Sequence, residues 1–189
     1  MPAERVILVL LLACLAPGGA SLIADEAADW PQLQGTRRDG IYRGPPLVDS
    51  LPPKGPPAPW KKNVGQGFAG PSVAAGRLLL FHRLSNEEVL DCLDAGTGKT
   101  MWTSKYPASY RDRFGFDEGP RAVPTIEGGR VYTNGAAGIL SCTDLESGKK
   151  IWRIDTHASF KPRESFFGTA CSPLVSSGKV FVQAGGTVK

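Results

Sequence analysis

Histidine is scarce in this chain: there are two in 189 residues, His82 and His157. No cysteines stand at metal-ligand spacing, so no zinc-type cluster can be assembled from side chains close in sequence. No metal site is expected. His157 has neither a nucleophile nor an orienting acid nearby, which leaves it no partner as a general base. Dense basic runs are also missing. Twenty-two Lys and Arg against 18 Asp and Glu give a net charge of +4, thinly spread, which excludes nucleic acid as the expected partner. Beyond residue 16 there is no apolar run approaching the roughly 20 residues needed to span a bilayer.

Residues 1–20 read as an export signal. A single Arg near the start precedes the apolar run 6–16, and Pro17-Gly18-Gly19-Ala20 supplies a small-residue exit with cleavage before Ser21. Leu11-Leu12-Ala13-Cys14 also reads as a lipoprotein signal, in which Cys14 would be lipidated and retained. Either way the chain is expected outside the cytoplasm, periplasmic or extracellular, and it touches a membrane only if Cys14 carries a lipid. Cleavage after Ala20 leaves Cys92, Cys142 and Cys171, and an odd count argues against a disulfide framework. Residues 21–59 form a proline-rich arm. Seven prolines between Pro45 and Pro59 remove backbone donors and fix φ, so the segment from 29 onward is expected as extended coil running over a surface.

What the chain does have is glycine and proline, 23 and 16 residues, beside a 41% hydrophobic share. That balance suits a turn-rich β protein. It also contains a repeat. Cys92-Leu-Asp94-Ala-Gly-Thr97-Gly98-Lys99-Thr-Met-Trp102 matches Cys142-Thr-Asp144-Leu-Glu-Ser147-Gly148-Lys149-Lys-Ile-Trp152 at six positions, always 50 residues apart. The flanks repeat as well. Pro71-Ser72-Val73, Pro124-Thr125-Ile126 and Pro173-Leu174-Val175 each precede Gly-Arg or Gly-Lys and an apolar run. Periods of 20–50 residues mark solenoids, propellers or arrays, and four short strands per unit mark a propeller blade. The expected architecture is all-β: a β-propeller of four-stranded blades, about 2.5 of them present. Blades are expected at 70–104 and 121–154, with a half-blade at 171–189. Trp60 looks like the outer-strand Trp of a preceding copy, over 60–64. A propeller closes with roughly four to eight blades, so remaining blades or other chains would be needed to complete the ring.

The motif has a physical reading. Asp94 and Asp144 can accept backbone N–H groups in an Asx-turn, with Thr97 and Ser147 adding hydroxyl bonds. Gly98 and Gly148 supply positive φ. Trp102 and Trp152 then fall on the outer strand, and such a side chain buries on the order of 200 Å² while seeking a partner for its N–H. Its expected berth lies between adjacent blades. Cys92 and Cys142 are expected as small buried residues, too far apart to bridge.

These residues resemble the tryptophan-docking repeat of quinoprotein dehydrogenases, a pattern shared by BamB-like outer-membrane assembly lipoproteins. The resemblance to exported PQQ-binding-like β-propeller repeat proteins extends from Asp29-Trp30-Pro31-Gln32 and Arg38-Asp39-Gly40, through Gly119-Pro120-Arg121, to Ser172-Pro173. It departs at Leu33, where an aromatic is usual, and family members carry more blades. The resemblance implies the propeller fold. Its catalytic members hold pyrroloquinoline quinone beneath a vicinal Cys-Cys pair, with a calcium ion alongside. No such pair exists here, so no catalytic residues carry over.

Candidate binding residues lie on the loops between blades, 105–121 and 155–170. These combine phenylalanines with Arg111, Arg113, Arg121 and Arg163, and long loops on a rigid scaffold often carry binding. Arg beside aromatics suits a sugar, an anionic ligand or a peptide. The function expected is that of an exported, non-catalytic propeller that binds protein or polysaccharide, without a cofactor. Two alternatives stand: a PQQ-dependent, quinoprotein-type oxidoreductase or a fragment of one, with PQQ and calcium, and a truncated gene product without independent function.

Overall fold

The computed structural model describes residues 28–162 and 166–184. The expected export signal and Arg163 lie outside the described residues.

Two four-stranded antiparallel sheets follow one another. The first runs β1 (Ser72–Ala74), β2 (Arg77–Leu84), β3 (Glu87–Asp94), β4 (Thr100–Pro107); the second runs β5 (Thr125–Glu127), β6 (Arg130–Asn134), β7 (Ile139–Asp144), β8 (Lys150–Asp155). In each, spatial order equals chain order. A hairpin of β9 (Leu174–Ser176) and β10 (Lys179–Phe181) repeats the first half of the unit. The described residues are therefore nearly all-β, with two propeller blades and half of a third.

Local chemistry explains the repetition. The turn opening each unit places two successive residues at positive φ: Ala75 and Gly76 at 50° and 71°, Gly128 and Gly129 at 56° and 72°, Ser177 and Gly178 at 50° and 71°. That two-residue turn matches the twist of the strands it joins. In the next turn but one, Asp94 Oδ1 accepts the Thr97 N–H at 2.8 Å and its hydroxyl at 2.6 Å, and Asp144 does the same with Ser147 at 2.8 and 2.6 Å. These bonds hold both carboxyls below their usual range. The register slips just after Cys92 and Cys142, each opposite its Trp. Such a bulge re-aims a side chain.

The re-aimed indoles join the blades. Trp102 Nε1 donates to Leu145 O at 2.9 Å, and its ring covers Gly148, where any Cβ would sit 2.7 Å from the ring. Trp60 repeats this one unit earlier, donating to Ala95 O at 3.1 Å over Gly98. Beneath the Trp102 joint, Leu79, Phe81, Leu90 and Cys92 meet Ile126, Val131 and Leu145. A smaller cluster of Tyr132, Cys142 and Val175, flanked by Trp152 and Val180, joins the second blade to the hairpin. Cys92 and Cys142 are buried and unbridged. The Ser72 hydroxyl donates to Pro124 O at 2.5 Å and the Thr125 hydroxyl to Pro173 O at 2.6 Å, so each inner strand is fastened to the next.

Three expectations need correcting. Residues 60–64 form no strand, and the nearest pairing is a single bridge from Gln66 to Arg83. A ladder there would need a partner strand from the preceding segment, whose prolines lack donors. Trp60 docks without one. Residues 29–40 are not extended coil. Gly35 N–H donates to Gln32 O, Arg38 N–H to Gly35 O and Gly40 N–H to Gln34 O, at 3.0, 3.2 and 3.0 Å. This stretch holds Gly35 and Gly40 but one proline, so its donors are intact. It lies over a surface, against the inner strands, with residues 36–40 exposed. Finally, a short helix α1 (Thr156–Phe160) interrupts the second long loop. Asp155 caps it by accepting Ala158 N–H at 2.8 Å, and Lys161 at φ 49° ends it. Among the described residues no helix is long and apolar enough to cross a membrane.

Candidate functional site

Leu84 pairs with Glu87, and Glu87 pairs with Pro107, so the β2–β3 turn and the exit from β4 share one end of the first sheet. The connection from Ala108 to Pro124 starts there. It is anchored by Arg83 at the end of β2, which is 2% exposed. Its guanidinium donates to Ser85 O at 2.9 Å, Tyr110 O at 2.7 Å and Glu118 O at 3.1 Å, and lies 3.2 Å from the Glu118 carboxylate. A planar five-donor group suits this task, because it ties several carbonyls to one point.

The loop is also knotted internally. The Asp112 carboxylate accepts the N–H groups of Phe114, Phe116 and Asp117 at 3.1, 2.5 and 3.0 Å, which lowers its pKa. Asp117 accepts Gly119 N–H at 2.7 Å and Gly67 N–H at 3.1 Å. Arg111 is exposed and bridges Glu118 and Asn86 at 3.0 and 3.1 Å. Arg121 donates to Asp117 O at 2.7 Å and to Gly119 O, with its guanidinium over the rings of Tyr110 and Phe68 at 4.9 and 5.7 Å. Arg113 is exposed on the same loop and has a partner of its own. Of the four arginines chosen from sequence, three thus share this loop, and Arg111 and Arg121 are engaged in holding its shape.

Between them the loop shows phenylalanine to solvent. Phe114 and Phe116 are 53% and 69% exposed, and Phe166 and Phe167, on the next inter-blade loop, are 56% and 52% exposed. Phe114 stacks on Phe166 with centroids 4.0 Å apart, and Phe166 meets Phe167 edge-on at 4.6 Å. Two loops from successive blades therefore present one aromatic cluster. His157 belongs to α1. Its Nε2 is 3.0 Å from the Thr169 hydroxyl and its ring packs over Gly138, so it holds the second loop.

Two buried carboxylates were not singled out from sequence. Glu88 is 1% exposed, and its Oε1 accepts Ala136 N–H from the second blade at 2.8 Å. Burial pushes its pKa up, against the pull of Tyr106, Ala136, Arg83 and Arg153. Arg153 stands 4.1 Å over the Tyr106 ring. Asp91 lies on the opposite face of β3. Burial works against its charge, but His82 at 3.2 Å, Thr103 at 2.5 Å and Lys62 at 3.4 Å hold its pKa down at about 2. Burial pushes the Cys92 thiol up to about 11 and raises Cys142 too, which keeps both protonated and unreactive at neutral pH. Period-2 alternation with Leu90 and Cys92 was the available signal for Glu88.

The stacked four-stranded units define the class, a propeller of the kind built from tryptophan-docked blades. A PQQ-type family model described as outer membrane protein assembly factor BamB matches residues 85–188, more than half of the chain, and the chain belongs to that family. Among solved structures it is similar to the quinohemoprotein alcohol dehydrogenase of Comamonas testosteroni, at 22% identity and a TM-score of 0.55 over 82% of this chain. Quinohemoprotein alcohol dehydrogenase ADHIIG of Pseudomonas putida HK5 gives 24% identity and a TM-score of 0.55 over 87%. The chain spans 23% and 24% of the lengths of those two proteins. BamB of Moraxella catarrhalis gives 22% identity and a TM-score of 0.42, over 62% of this chain and 30% of that one. No curated protein matches.

A quinone with calcium would need converging acidic donors. Among the described residues no three His, Cys, Asp or Glu side chains group to hold a metal ion. Asp94 and Asp144 each commit Oδ1, and Asp112 both of its oxygens, to turns. The described residues thus show no converging donor set for that cofactor.

Proposed function

We propose that the chain is an exported, non-catalytic propeller protein that binds protein or polysaccharide through its two long inter-blade loops. The carrying observation is the pairing of rigid loop and exposed aromatic. A buried Arg83 and a three-bond Asp112 knot fix the first loop, yet Phe114 and Phe116 stay exposed, Phe114 stacking on Phe116 in its own loop and on Phe166 of the neighbouring loop. Fixing a loop while exposing apolar rings suits recognition, since little entropy remains to be lost on binding. Arg111 and Arg113 flank the rings; Arg163 belongs to the same proposal from sequence alone. Export is supported by the signal-like residues 1–20, with Cys14 as the lipid-bearing alternative, and it agrees with the outer-membrane description of the family. Further blades, on this chain or another, would complete the ring.

The test compares the intact chain with a Phe114→Ser, Phe166→Ser variant for retention on immobilised cell-envelope protein and on envelope polysaccharide. One of the two matrices should retain the intact chain and release the variant. Equal retention of both chains, or of neither, would remove this reading. Dye-linked alcohol oxidation on adding pyrroloquinoline quinone and calcium would replace it with the oxidoreductase reading.

A further inference from the structure

Each inner strand has only three residues, and its middle residue turns its N–H and C=O away from the hairpin partner. Val73 stands opposite Leu78, Ile126 opposite Val131, and Val175 opposite Val180, between closing pairs on either side. In antiparallel ladders such alternate residues face outward. The three sheets therefore offer three equivalent free edges side by side.

One segment meets all three. Trp30 N–H donates to Val73 O at 2.8 Å, and Val73 N–H returns a bond to Trp30 O at 3.0 Å. Ile126 N–H donates to Pro31 O at 2.8 Å. Arg38 Nη2 donates to Val175 O at 2.6 Å, while its Nε donates to Gln32 Oε1 at 3.0 Å. The residue types fit their stations. Proline has no N–H and offers only an acceptor, and it meets a donor. Arginine reaches the β9–β10 hairpin with a side chain where the backbone has already turned. The segment is folded on itself: the Trp30 ring lies against Gly35, where a Cβ would come within 2.9 Å, and the Thr36 hydroxyl donates to Asp29 O at 3.2 Å. The Asp29 carboxylate also accepts Ala75 N–H at 3.3 Å, at the first turn.

We propose that the inner edges of the blades form a peptide-recognition site, specific for a segment that opens Trp-Pro and reaches Arg seven residues after the proline, and that residues 29–38 fill it as a ligand supplied by the chain. Recognition is strand addition at a sheet edge, with backbone bonds giving affinity and the Trp, Pro and Arg positions giving selectivity. Occupation also covers edges that would otherwise invite pairing with other chains.

Two measurements on the full chain test this. In hydrogen exchange, the Val73 and Ile126 amides should be strongly protected although neither bonds within its hairpin. Exchange at coil rates would overturn the proposal, whatever any variant does. In the second, a fluorescein-labelled peptide of residues 28–40 is titrated into the intact chain and into the full chain carrying Trp30→Ala and Arg38→Ala. The peptide should bind the substituted chain and bind the intact one at least about tenfold more weakly, because the tethered arm competes at high effective concentration. A peptide with both substitutions should not bind. Equal binding to both chains, or binding to neither while the substituted chain keeps its β circular dichroism, would also overturn it.

Discussion

Replacing Trp102 by Ala removes a ring seated on Gly148 and a donor to Leu145 O, both in the neighbouring blade. The expected cost is about 3 kcal/mol, against within about 0.5 kcal/mol for exposed Arg113→Ala, measured by urea unfolding. Equal small effects would refute the docking role. Asp91 sets an acid limit. Its folded pKa is depressed to about 2, so its contribution is complete above the ordinary carboxylate value and is lost as pH falls from about 4 towards 2. The size is on the order of 2 kcal/mol. Thermal melts across that range should show the loss, and Asp91→Asn should flatten it. Glu88 acts with the opposite sign. Its raised pKa means that the folded state holds the proton more tightly, so its charge opposes stability as pH rises through the folded value.

At the scale of elements, the first long loop depends on a side chain outside it. Arg83→Met should leave the sheets intact, because the stem still packs, but release the carbonyls of Tyr110 and Glu118. Trypsin should then cut after Arg111 or Arg113 far faster than in the intact chain; an unchanged digestion rate would show that the Asp112 knot suffices alone. Strand and turn positions were legible in the sequence because Asp, Thr or Ser, Gly and Trp act within a few residues of one another, and the repeat states them twice. Arg83 and Glu88 were not, because their partners lie on other elements, Glu118 and Ala136, and only the assembled register brings them together. The arm was hidden for a further reason. Most of its contacts run through backbone groups, which leave no mark in side-chain type, and its reach to Val175 spans 137 residues. Nothing in the spelling of Thr156 to Phe160 marked a helix, whose single capped turn owes its existence to Asp155.

For the whole molecule, stability is graded along the stack. Among the described residues, nine buried side chains line the first joint and three the second. In repeat architectures stability is close to a sum of units and interfaces. Amides in β2 and β3 should therefore exchange slowest and those in β9 and β10 fastest; uniform protection would show that the blades open as one body. The tryptophan joints also have a direction, which matters when the chain is made. Trp102 finds its acceptor 43 residues downstream, and Trp60 finds its own 35 residues downstream. At synthesis rates of roughly 5–20 residues per second, each of these indoles waits some seconds unpaired, until the turn that accepts it emerges. Assembly is a zipper that closes one blade behind the growing end, and the interval between blades is when the nascent chain most needs protection.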